Sequence, residues 1–216
     1  MEITSPFSWE KFHQAPIIGI IRGMEPEVLL SIGKAFESAG LSTLEITLNS
    51  EKAAEMITLL RKSLPGLNVG AGTVCTMDDL SKALEAGAQF IVCPIVDLEV
   101  IKYCVAVGVP IFPGAFTPTE IYQAWSAGAS AVKVFPATQL GSTYIKDVLA
   151  PLNGIKLIPT GGVDVSSIIS FLEAGASGVG MGSSLIDKNL IQDRDFEGLE
   201  RHFRKIKELV SDYLQK

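Results

Sequence analysis

The residue with the clearest chemical potential is a lysine in the middle of a short apolar run, Ala131-Val132-Lys133-Val134-Phe135-Pro136. Side chains alternate along a strand, so Val132 and Val134 face one way while Ala131, Lys133 and Phe135 face the other. If both faces are buried, the unpaired amine is driven toward its neutral form, the state a nucleophile requires. The alternative is a strand-end lysine whose head reaches water. A carboxylate sits in a similar frame. In Leu44-Glu45-Ile46-Thr47-Leu48 the even positions are apolar, which turns Glu45 and Thr47 to the opposite face. There Glu45 either pairs with Lys133 or transfers protons, and one location serves both roles.

Such residues need strands to hold them. Eight short runs rich in β-branched and apolar residues alternate with segments of helical period: 17–21, 43–48, 67–74, 90–94, 109–112, 131–135, 156–159 and 178–182. Gly40, Gly66, Gly87, Gly108, Gly128, Gly154 and Gly175 precede the second to eighth runs at spacings of 20 to 26 residues. That length fits one helix, two loops and one strand, with glycine closing each helix. The pattern predicts an α/β fold, a (β/α)8 TIM barrel forming a single domain over 1–216; an open doubly wound sheet is the alternative. Trp9 to Gln14 forms a short helix covering the barrel bottom. Phe196, Leu199, Phe203, Ile206, Val210 and Tyr213 mark an amphipathic terminal helix that packs on the barrel or joins copies of the chain.

In a TIM barrel the C-terminal strand ends make one rim, where the chemistry gathers. Strand by strand the rim carries Arg22, Glu45, Thr73, Pro94, Pro113-Gly114, Lys133 with Phe135, Thr160-Gly161-Gly162 and Gly182-Ser183. Arg22 offers a forked ligand for a carboxylate or phosphate, or else a structural ion pair. Thr73, flanked by Gly70 and Gly72, lies where a substrate can approach closely, or satisfies backbone groups. The glycine-rich turns at Thr160-Gly161-Gly162-Val163-Asp164 and Gly180-Met181-Gly182-Ser183-Ser184 follow the seventh and eighth strands, where backbone N–H groups and a helix N-terminus seat phosphate in these barrels; tight packing is the other use of such glycines.

Composition narrows the partners. The chain has 216 residues, is 47% hydrophobic and carries a net charge of -6, so it holds a large core and lacks the basic balance of a nucleic-acid binder. Cys75, Cys93 and Cys104 show no CxxC spacing and read as reduced thiols of a cytoplasmic protein. Met1 to Pro6 shows no targeting signal, and no apolar run reaches membrane-spanning length. The histidines, His13 and His202, lie in the flanking segments, so a histidine-ligated metal site is not expected.

Leu44-Glu45-Ile46-Thr47-Leu48, Gly70-Ala71-Gly72-Thr73-Val74, Val132-Lys133-Val134-Phe135-Pro136 and Pro159-Thr160-Gly161-Gly162 together resemble the KDPG/KHG aldolases, over a stretch from Pro16 to Leu185. The resemblance implies a class I aldolase acting on 2-keto-3-deoxy-6-phosphogluconate and 4-hydroxy-2-oxoglutarate, with pyruvate as a product. By that resemblance Lys133 forms the Schiff base and Glu45 is the general acid/base. Thr73 and Phe135 line the pyruvyl pocket, while Gly161, Gly162 and Ser183 hold the phosphate. It also implies a homotrimer and no metal or other cofactor. One position departs: where many KDPG aldolases carry an arginine associated with the substrate carboxylate, this chain has Asn49. Leu48-Asn49-Ser50 and Ile21-Arg22-Gly23 resemble the 6-phosphogalactonate aldolases instead, and Arg22 is expected to take over the carboxylate. Two other readings stay open: a phosphate-binding barrel enzyme of another class, such as an isomerase or decarboxylase, and a non-catalytic phosphometabolite-binding barrel.

Overall fold

A computed structural model describes residues 6–215; Met1–Ser5, most of the segment read for a targeting signal, lie outside the described residues. Short strands alternate with helices: α1 (Trp9–Gln14), β1 (Ile17–Ile21), α2 (Pro26–Ser38), β2 (Thr43–Thr47), α3 (Ala53–Ser63), β3 (Asn68–Gly72), α4 (Met77–Glu85) and β4 (Ile91–Val92). The second half follows with α5 (Leu98–Ala106), β5 (Ile111–Phe112), β6 (Gly114–Ala115), α6 (Pro118–Ser126), β7 (Val132–Val134), α7 (Gly141–Leu149), β8 (Leu157–Pro159), α8 (Ile168–Glu173), β9 (Val179–Met181), α9 (Lys188–Gln192) and α10 (Phe196–Leu214). Local chemistry sets the helix starts. Thr76 with Asp79, and Thr117 with Glu120, make reciprocal capping boxes at α4 and α6.

All strand pairings are parallel. One sheet runs β5-β4-β3-β2-β1-β9 and the other β6-β7-β8, giving a TIM-barrel-like parallel α/β fold whose larger sheet is a half-barrel. A doubly wound sheet does not form: strands add in sequence order on one side of β1, and β1 pairs with β9 on the other. The fifth predicted run, 109–112, differs from expectation: only Ile111 and Phe112 pair, as β5, and past Pro113 a further short strand, β6, pairs with β7. Proline has no N–H for the ladder, although its carbonyl still accepts from Lys133 N at 2.8 Å. Glycine closure of the helices also has limits. Gly40, Gly87, Gly108, Gly128 and Gly175 take a positive φ, whereas Gly66 and Gly154 do not. Each of those two follows a helix already stopped by a proline, Pro65 after α3 and Pro151 after α7.

Two apolar clusters follow from strands buried on both faces. The outer one packs Leu44, Ile46, Val132 and Val134 against the helices, as alternation requires. The inner one joins Phe7 and Phe12 to Ile18, Phe90, Val92, Phe112, Ala131 and Ile158. Phe7 meets Phe90 edge-on at 5.3 Å, and Phe90 lies 5.8 Å from Phe112. Gly70 makes room for this floor, since a Cβ there would sit 2.5 Å from the Phe90 ring. The segment around α1 therefore plugs the interior from below. Phe12→Ala is expected to cost about 3–5 kcal/mol, read as a lower urea midpoint at unchanged slope.

The terminal stripe is spent inside the chain. Leu199, Phe203, Ile206 and Val210 of α10 are buried, and Phe203 meets Phe36 of α2 edge-on at 5.3 Å. His13 stacks on Trp9, and His202 Nε2–H donates to the Leu185 carbonyl at 3.1 Å, bracing the turn after β9. Among the described residues no helix is long and apolar enough to cross a membrane.

Candidate active site

Above the aromatic floor lies a cavity of about 10 Å³ lined by Glu45, Lys133, Thr160, Gly180 and Ile20, with Ile18, Val92, Phe112 and Ile158 beneath. That is room for about one water. Glu45 is the central residue of β2 and Lys133 the central residue of β7, both placed inward by strand alternation. Both are buried, Glu45 to 1% and Lys133 to 7% exposure. The lysine has not snorkelled; its Nζ stands 4.8 Å from the centre of the Phe135 ring. Thr160 is buried beside them, its hydroxyl donating to the Ile158 carbonyl at 3.3 Å.

Burial holds the Glu45 carboxyl above its ordinary range, opposed by the charges of Lys133 and, more weakly, Arg22. The ion pairs among the described residues are Arg201–Asp195 and Arg204–Glu200, so Glu45 and Lys133 line one cavity without forming an ion pair. The lack of an ion pair leaves the amine free of a carboxylate clamp, while the shared cavity keeps the acid close to whatever the amine binds. Nearby thiols do not compete as nucleophiles. Burial and the neighbouring Cys104 and Cys75 push the Cys93 thiol up, and burial with Asp79 does the same at Cys75.

Gly72 carries much of this placement. Its φ is unremarkable, but a Cβ there would overlap Glu45 Oε1. Gly72→Ala is expected to lower kcat at least about tenfold by displacing the carboxylate, with little change in unfolding midpoint.

The other predicted residues occupy the rim in different ways. Arg22 follows β1 and is exposed, yet close enough for its charge to be felt at Glu45. Asn49 is exposed in the turn after β2. Thr73 follows β3 at φ 58, a left-handed conformation costly for a β-branched residue and maintained only where surroundings impose it. Half-buried Pro94 follows β4 outside the cavity; the backbone of Gly114 lies so close that a Cβ there would overlap the Pro94 carbonyl. Phe135 stands partly exposed over the amine. Gly161 and Gly162, at φ 85 and 78, form a turn against Phe135 and Thr138, and Ser184 Oγ ties it to the next loop by donating to the Val163 carbonyl at 2.5 Å. Gly182 and exposed Ser183 begin that loop. It is one turn, with Leu185 N and Ile186 N donating to the Gly182 carbonyl, and not the start of a long helix; α9 begins only after Asp187 caps it.

Sequence reasoning passed over the cavity walls Ile20, Val92, Phe112 and Ile158, and the packing of Thr138 on Gly162. Alternation within each strand marks the walls once Glu45 and Lys133 fix the inward face. Thr138 carries no such signal, because its loop is placed by tertiary contact.

The model of the KDPG and KHG aldolase family matches residues 9–202. The chain is 33% identical to the 2-dehydro-3-deoxy-phosphogluconate aldolase of Haemophilus influenzae over 211 residues, 97% of this chain and 100% of that protein. It is 36% identical to the 2-dehydro-3-deoxy-6-phosphogalactonate aldolase of Escherichia coli K12 over 176 residues, 79% of this chain and 84% of that one. Among solved structures, the KDPG aldolase of Legionella pneumophila, with pyruvate captured as a covalent carbinolamine, superposes with a TM-score of 0.83 at 26% identity, over 91% of this chain and 96% of that one. Matches and fold agree on the class: this is an aldolase, a carbon–carbon lyase. More narrowly, the chain belongs to the KDPG and KHG aldolase family.

Proposed function

We propose that this aldolase works through a Schiff base on Lys133 and cleaves 2-keto-3-deoxy-6-phosphogluconate to pyruvate and glyceraldehyde 3-phosphate, with 4-hydroxy-2-oxoglutarate, giving pyruvate and glyoxylate, as a second substrate. The observation that carries it is a buried lysine sharing a water-sized cavity with a buried glutamate. Neutral Lys133 Nζ attacks the C2 carbonyl, and loss of water gives a protonated imine. Glu45 takes the C4 hydroxyl proton; the C3–C4 bond breaks, its electron pair passes into the imine, and the aldehyde leaves. Protonation of the enamine at C3 and hydrolysis release pyruvate. The imine is the electron sink, so the steps need no cofactor. The carbinolamine captured in the Legionella pneumophila enzyme is the species expected before the imine.

Thr73, Phe135 and Thr160 border the pyruvyl end, with Pro94 on the same rim, and the Gly161-Gly162 and Gly182-Ser183 turns seat the phosphate. We read the two sheets as one closed eight-stranded barrel in a single domain, since β5 continues into β6 across Pro113 and Thr160 bridges to Gly180. Cleavage of 2-keto-3-deoxy-6-phosphogalactonate is the second reading, favoured by Arg22 at the end of β1 and by Asn49, exposed and uncharged, after β2. Assaying the two phosphosugar acids and hydroxyoxoglutarate side by side, with borohydride trapping of pyruvate, tests the proposal. A stable adduct on Lys133 supports it, and an adduct at no lysine sinks it. Arg22→Ala is expected to raise KM for the preferred substrate roughly 10- to 100-fold, the loss of one charge-assisted carboxylate contact.

A cytoplasmic setting fits the three free thiols. A homotrimer fits Ile95, Leu98, Val105, Phe116 and Tyr122, large apolar side chains exposed on and around α5 and α6. Light scattering is expected to give three times the 23.1 kDa chain mass.

A further inference from the structure

We propose that the hydroxyls of Thr47 and Ser50 act as a positioning clamp on Arg22 and thereby set how tightly the carboxylate of the 2-keto acid is held. This rests on Arg22 as the carboxylate ligand. The β1–β2 ladder ends at Ile21 opposite Ile46, so backbone pairing no longer fixes the chain where Arg22 leaves the strand. Side chains take over there. Gly23 N donates to Ser50 Oγ at 3.0 Å, Ser50 Oγ lies 3.1 Å from Thr47 Oγ1, and Thr47 Oγ1 donates to the Ile21 carbonyl at 3.5 Å, the loosest link.

The direction of this chain is forced. It begins on an N–H that only donates and ends on a carbonyl that only accepts, so Ser50 must donate to Thr47, and each hydroxyl gives and receives one bond. The two backbone ends, Ile21 and Gly23, are the residues on either side of Arg22. Thr47 and Ser50 are buried, at 0% and 8% exposure, and thus shielded from competing water, while Arg22 itself is exposed. Gly23 turns the chain away at φ 61. Ser50 N donating to the Thr47 carbonyl at 2.9 Å and Leu48 N to the Gly72 carbonyl at 2.8 Å anchor the clamp's own turn to β3, beside the glycine that makes room for Glu45. The arginine is therefore held at its backbone on both sides and leaves only its side chain to be ordered by the ligand.

The test uses the pyruvate concentration that gives half-maximal borohydride trapping on Lys133, measured for the full chain well below each variant's melting temperature. Arg22→Ala is expected to raise it about tenfold or more, and Ser50→Ala and Thr47→Val about three- to tenfold each, with maximal trapping little changed; Thr47→Ser, which keeps the hydroxyl, restores the parent value. In an Arg22→Ala background, Ser50→Ala is expected to add less than about twofold. An equal rise from Ser50→Ala with and without Arg22, or no rise from Ser50→Ala and Thr47→Val while Arg22→Ala has its effect, overturns the clamp alone. Unchanged half-saturation in Arg22→Ala with trapping intact overturns the carboxylate assignment, and the clamp falls with it.

Discussion

Lys133→Met is expected to lower kcat at least about 10⁴-fold and to abolish borohydride trapping of pyruvate, without loss of stability. Methionine keeps the buried stem and removes only the amine, so the packing of β7 between β6 and β8 is retained. A 10⁴-fold loss corresponds to about 5.5 kcal/mol of transition-state stabilisation, the scale expected when a two-step covalent route is withdrawn. Lys133 forms no ion pair with Glu45, so the change breaks none and removes a buried polar head, and the urea midpoint should hold or rise. Activity within tenfold of the parent, or an adduct elsewhere in the variant, would remove Lys133 from the mechanism.

Glu45→Gln carries the second largest effect, a fall in kcat of about 10²–10⁴-fold, while pyruvate is still trapped on Lys133. The glutamine fills the same space beside Gly72, so the loss reports the proton and not the packing. Its pH behaviour gives an independent signature. Burial raises the folded-state pKa of Glu45 above its ordinary 4.5, so between those two values the folded protein binds more protons than the unfolded chain. Stability from this group is then fully present below 4.5 and lost as pH rises through the raised value. Glutamine does not titrate, so the variant's stability relative to the parent should climb with pH across that window. The acid limb of the parent's kcat profile, where Glu45 loses its ionised form, should vanish in the variant. A variant that keeps the parental acid limb of kcat while its stability profile changes would show that Glu45 is structural.

Much of this was legible in local patterning. Leu44-Glu45-Ile46 and Val132-Lys133-Val134 alternate strictly and lie in strands buried on both faces, so period two alone turned both ionisable groups inward. The stripe on α10 and the recurrent helix-ending glycines are equally local. Thr73 gave no warning of its left-handed backbone, because its conformation is imposed by neighbours and not by its own preference. Nor did the segment around Phe12 announce that it meets Phe90 and Phe112, rings distant in sequence.

The sequence by itself determined which side chains face inward and which kind of chemistry they carry. Only the tertiary structure decided that Glu45 and Lys133 line one small cavity without forming an ion pair, that a further strand, β6, follows Pro113, and that Ser50 braces the residue following Arg22. The reason is range. Side-chain alternation repeats every two residues and is written into adjacent positions, whereas the separation of Glu45 from Lys133 depends on the registers of strands far apart in the chain, fixed only when those strands pair.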